Sequence, residues 1–161
     1  MSNTNQSTYP GAMALLNFAR QYYDGAQIIF ASKPDSTSVL YFLYFHTFES
    51  LLKAYLKANG SERWGHDVSE LCAEAQQLGL EIERDKSGRR DLHNVAALLE
   101  SGNTNAAFRY FTWESRSYPD LGWTRDVVRQ PMSAVTPVVE STWDQTKSGA
   151  PVKMDIVMRV L

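Results

Sequence analysis

A single cysteine, Cys72, stands in 161 residues, so no intramolecular disulfide is available and nothing points to an oxidising compartment. Within its helical pattern Cys72 reads as a small buried apolar residue. Basic excess is also missing. The net charge is −2 and the pI about 5.9, which argues against a protein that grips nucleic acid by neutralising many phosphates. The one basic cluster, Arg84, Lys86, Arg89 and Arg90, is diluted by Glu81, Glu83 and Asp85 and reads as a solvated loop. No apolar run reaches the roughly 18–20 residues that span a bilayer; even residues 39–56 are interrupted by His46, Glu49 and Lys53. The start, MSNTNQSTYPG, has neither a basic beginning nor an apolar segment. Residues 1–10 therefore read as a disordered lead-in rather than a secretory signal. Metal-ligand spacings, glycine-rich phosphate loops and a serine nucleophile elbow are all absent from the sequence. A cytoplasmic protein without membrane, metal or cofactor is the expectation.

What is present is an ordinary globular composition, 43% hydrophobic with a generous 12% aromatic, enough for one domain over residues 11–161. Apolar positions Ala14, Leu15, Phe18, Ala19, Tyr22, Ile28, Ile29 and Phe30 predict a helix from Ala12 to about Ala31. A second helix follows the Lys33-Pro34-Asp35-Ser36 break, capped by Ser36 or Ser38 and closed by Gly60. Asp67 with Glu70 has the form of a capping box for a third helix to about Leu78, ended by Gly79. Residues 79–90 read as an exposed connection, and Asp91 caps a fourth helix over about 92–99. Thr124 is the expected cap of a last helix to about Lys147, which Pro131 and Pro137 should break or kink. Strand-like alternation over Val152–Val160 predicts a short C-terminal strand that needs a pairing partner. The fold class is thus mainly all-α, an antiparallel four- to five-helix bundle with a short C-terminal strand.

The second helix carries the chemistry. At 100° per residue Phe42, His46, Glu49 and Lys53 share an arc of roughly 60°, while the remainder of the helix is apolar nearly all round and so should be buried. On an exposed face Glu49 and Lys53 form an ordinary i, i+4 pair. Buried with His46, they form a network that needs every member satisfied. Just beyond, His66 and Asp67 stand at a helix N-terminus. Asp67 is explained by capping, and His66 either offers a proton toward a phosphate or bonds to the preceding turn. His93, beside the predicted start of the fourth helix, reads as a surface residue.

Glu49 followed by Leu52-Lys53-Ala54-Tyr55-Leu56, then Gly65-His66-Asp67-Val68 before Leu71, with Phe108-Arg109-Tyr110 ahead of the last helix, resembles the HEPN-type helical domains of toxin–antitoxin and defence systems. The resemblance spans about residues 12–145 and implies a helical bundle that often dimerises. Catalytic members carry an arginine and, four to six residues on, a histidine. None of His46, His66 and His93 follows an arginine at that spacing. The resulting expectation is a non-catalytic homodimeric binding module for a nucleotide, RNA or a partner protein such as an antitoxin-like chain. Its candidate ligand-binding residues are His46, Glu49, Lys53, His66 and Arg109. Two alternatives stand beside it: a metal-independent ribonuclease using His46 or His66 with Arg109, and a structural interaction subunit working through its C-terminal strand.

Overall fold

The computed structural model describes residues 11–63, 65–82, 94, 96, 97, 99, 100 and 120–148. Within them the chain is helical, with α1 at Ala12–Ser32, α2 at Thr37–Ala58, α3 at Val68–Gln77 and α4 at Leu121–Ser148, and helical residues also at 94, 96, 97, 99 and 100. This is the all-α bundle the periodicity predicts. The proposed C-terminal strand, Asp91, His93, the basic cluster from Arg84 to Arg90 and the Phe108–Tyr110 segment lie outside the described residues.

Helix α2 is the axis of the core. It is packed by α1, α3 and α4, and Leu40, Tyr41, Tyr44, Phe48, Leu51, Leu52 and Leu56 are fully enclosed. Burying such side chains is worth roughly 1.5–3 kcal/mol each, so this helix concentrates the driving force for the fold. Its buried Thr47 hydroxyl donates to the Leu43 carbonyl at 2.8 Å. Burial pushes the Tyr44 phenol up to about 12, which keeps it protonated across the physiological range.

Helix α1 runs antiparallel to α4, because Arg20 reaches Glu140 at 2.6 Å while Phe30, ten residues on, lies under the Arg125 guanidinium. Where α1 packs on α2, Tyr22 meets His46 and Tyr23 meets Tyr44. Its buried face is Leu15, Leu16, Ala19 and Ala26. Phe18 and Ile28 share the helical spacing of the core residues yet stand 46% and 69% exposed, and Ala14 is exposed as well.

The termini of the helices follow sequence chemistry with three differences. Gly60 and Gly79 take the left-handed φ of 81° and 91° that lets the chain leave α2 and α3 without a Cβ penalty. Asp67 caps α3 by accepting from the Glu70 N–H at 2.9 Å, but the Glu70 carboxylate turns to Arg63 instead of completing a capping box. Ser36 sits at the α2 N-cap without a side-chain cap bond. Helix α4 starts at Leu121, and Asp120 rather than Thr124 caps it, accepting from the Trp123 N–H at 2.8 Å; Thr124 lies one turn in and donates to the Asp120 carbonyl at 2.9 Å. Pro131 and Pro137 fall inside a helix that stays continuous for 28 residues. Each costs a backbone donor, which packing of Val127, Val128, Val135 and Val139 into the core outweighs. The connection after α3 also differs from expectation, since Leu80 is buried and Ile82 packs on the core.

Candidate functional site

The outward stripe of α2 closes around one carboxylate. Glu49 has a side chain only 5% exposed, and Lys53, one turn on, places Nζ 2.7 Å from its Oε1; the lysine itself is 11% exposed. His46, 13% exposed, sets Nδ1 3.1 Å from Oε2. These three come together because residues three and four apart are neighbours on a helix. The fourth member arrives from elsewhere in the chain: His66 Nδ1 lies 2.6 Å from Glu49 Oε1. Sequence spacing does not reveal that contact. It arises because the chain returns from the end of α2 to bring His66 level with Glu49 before α3 begins.

Burial is the largest influence on Glu49 and opposes ionisation. Hydrogen bonds from His46 and Lys53, the lysine charge and the hydrogen bond from His66 together outweigh it and hold the carboxyl at about 2. Glu49 is therefore an anion at neutral pH with no proton to give. Each imidazole must carry its proton on Nδ1 and donate. Lys53 neutralises the carboxylate, and a carboxyl held at about 2 is too weakly basic to serve as a general base at neutral pH.

The two histidines differ in what they offer. His46 is walled in by rings, with Phe42 edge-on at a centroid distance of 4.4 Å and Tyr22 and Phe45 each at 5.5 Å. These neighbours are apolar or amphipathic, so His46 serves chiefly to satisfy Oε2. His66 is 75% exposed. With Nδ1 committed to Glu49, its Nε2 points away from the carboxylate as the available atom, an acceptor when the ring is neutral and a donor when protonated. A buried carboxylate orienting an accessible imidazole is the arrangement that fixes a tautomer for binding or proton transfer.

Of the candidates read from sequence, the structure thus gathers His46, Glu49, Lys53 and His66 into one cluster; Arg109 lies outside the described residues. Sequence reading missed the neighbouring ionic group, in which Arg63 bridges Glu70 and Glu74 and Ser61 donates to Glu74. An open recess of about 750 Å³ adjoins this second group, between Gly60, Arg63, Glu70, Glu74 and Leu78, and includes none of the four cluster residues. Among the described residues no His, Cys, Asp and Glu grouping suits a metal ion, and no helix is long and apolar enough to cross a membrane.

Comparison with protein-family models, with curated proteins and with solved structures yields no match. The chemistry of the cluster itself is what speaks for function.

Proposed function

We propose that the protein is a non-catalytic, HEPN-like helical binding module, and that the Glu49 cluster holds His66 to contact a nucleotide or the phosphate of an RNA. The observation that carries this reading is the 2.6 Å bond between the exposed His66 ring and the buried Glu49 carboxylate. A solvent-facing imidazole needs no buried partner for stability alone, and anchoring it lowers the entropy lost when a ligand is met. Lys53 and the two histidines outnumber the single carboxylate, so protonation of either ring leaves the cluster with net positive charge. A low global charge fits recognition of a few phosphates by placed donors rather than by a broad basic face.

The test is a fluorescence-anisotropy titration with a short single-stranded oligoribonucleotide and, separately, with a labelled nucleoside triphosphate. His66→Ala is expected to weaken binding at least tenfold while the protein stays folded by circular dichroism. Absence of binding to the folded parent, or equal binding by parent and variant, assigns the cluster to the structural role instead.

A second reading, a metal-independent ribonuclease, draws on the same oriented imidazole, with His66 Nε2 as the acid–base atom. RNA cleavage that persists in chelator and disappears in His66→Ala supports it. Cleavage that survives in that variant excludes His66 as its acid–base group.

A further inference from the structure

The polar stripe of α2 has an aromatic border. The four-residue connection between Ser32 and Thr37 turns α2 back antiparallel along α1, so a step from Tyr22 toward the start of α1 matches a step from His46 toward Lys53. The Tyr22 ring centroid lies 5.5 Å from that of His46, with the planes tilted by 33°. Phe42, one turn before His46, meets the same imidazole edge-on. Phe18 stands one turn before Tyr22, where residues four apart are neighbours on a helix, and so falls beside the α2 segment between His46 and Lys53. Tyr22 and Phe42 are half-buried, whereas Phe18 is 46% exposed.

Rings and polar stripe together suit one kind of occupant. His46 and His66 bond to the two oxygens of the same carboxylate, which keeps the aromatic border within the span of a dinucleotide from the Nε2 of His66. Lys53 brings a positive charge to the same carboxylate. An apolar protein segment laid on the rings would cover these polar groups without pairing them, which is unfavourable. A phosphate without a base would use the imidazole and leave the rings bare. Single-stranded RNA supplies both partners, a flat π-face for a ring and a phosphate for the imidazole. Every base has such a face, so stacking adds affinity without reading sequence. It also does so without a broadly basic surface, which a chain of net charge −2 lacks.

We infer that Phe18 and Tyr22 form a stacking shelf for the unpaired bases of a single-stranded RNA whose phosphate meets His66; the inference rests on the phosphate-contacting role proposed for that imidazole. The test is an anisotropy titration of the full chain with a labelled short oligouridine and with an abasic ribose-phosphate strand of the same length. The abasic strand is expected to bind at least about tenfold more weakly, as loss of stacked bases implies. Phe18→Leu and Tyr22→Leu keep apolar bulk and remove the ring. Each is expected to weaken oligouridine binding about fivefold or more, the lower end of what stacking contributes per base, and to leave abasic binding unchanged. Phe18→Trp and Tyr22→Trp are expected to bind oligouridine at least as tightly as the parent, and His66→Ala to weaken both strands. Leucine variants that match the parent, or an abasic strand that binds as well as oligouridine, overturn the shelf; a persistent His66→Ala effect then leaves the phosphate contact standing without it. Leucine variants that weaken both strands equally also overturn it, because the rings then only support His46. A parent that binds neither strand overturns the shelf and the phosphate contact together.

Discussion

Two carboxylates of this chain, Glu49 and Glu74, hold cationic partners in opposite surroundings. Glu49 lies inside the α2 stripe with Lys53, His46 and His66 around it; Glu74 lies near the surface with Arg63 and Ser61. Water screens the second pair and competes for both partners, so its geometry is permitted rather than required. The first pair has given up solvent, and each donor replaces a lost hydration bond. Similar contacts drawn on paper thus have very different consequences when broken. A network that the fold must satisfy is also one that holds its exposed member, His66, in a fixed pose.

The contrast is broken most forcefully by Glu49→Ala, which strips the counter-ion from a nearly buried Lys53. Loss of one partner from such a pair costs about 3–5 kcal/mol, expected as a lower urea midpoint in equilibrium unfolding. Acid gives a gentler version of the same cut. The Glu49 carboxyl is lowered from its ordinary 4.5 to about 2, so its ionised form contributes stability in full above about pH 4.5. That contribution, about 3 kcal/mol at roughly 1.4 kcal/mol per unit, is lost as the pH falls through 2. Parent minus Glu49→Gln stability, plotted against pH, is expected to decline over that window; a flat difference would mean the carboxyl is not held by its neighbours.

Removing His66 sharpens the comparison, because its ring is exposed and only its bond to Glu49 is buried. His66→Ala is expected to cost about 1.5–3 kcal/mol, the range for a hydrogen bond to a charged group, less than Glu49→Ala in the same urea titration. Arg63→Ala stands at the bottom of the scale. Its melting temperature is expected within about 2 °C of the parent's, as for other exposed pairs. A larger fall would show that the Arg63–Glu70–Glu74 group anchors α3 after all.

Periodicity made the three members on α2 legible, since His46, Glu49 and Lys53 are neighbours on any helix that contains them. Local cap chemistry likewise announced Asp67, Gly60 and Gly79. His66 was singled out, but its partner was hidden. The return of the chain from α2 to His66 depends on several backbone torsions and on which side of α2 it runs, neither of which leaves a repeat in the sequence. The orientation of α1 was hidden for a different reason: Phe18 and Ile28 have the same spacing as core residues, and only the positions of α2 and α4 decide which flank is covered. The prolines of α4 misled because local backbone cost is visible in sequence whereas the compensating burial of Val127, Val128, Val135 and Val139 is not.

In the proposed function Glu49 holds His66 in one tautomer, with Nε2 presented to a ligand. Nitrogen-15 NMR of the histidine rings, recorded with and without oligoribonucleotide, reads that atom directly. The account predicts a His66 ring protonated at Nδ1, an Nε2 resonance that moves on adding ligand, and loss of both features in Glu49→Gln. A His66 ring that populates both tautomers in the parent and does not respond to oligonucleotide would contradict it.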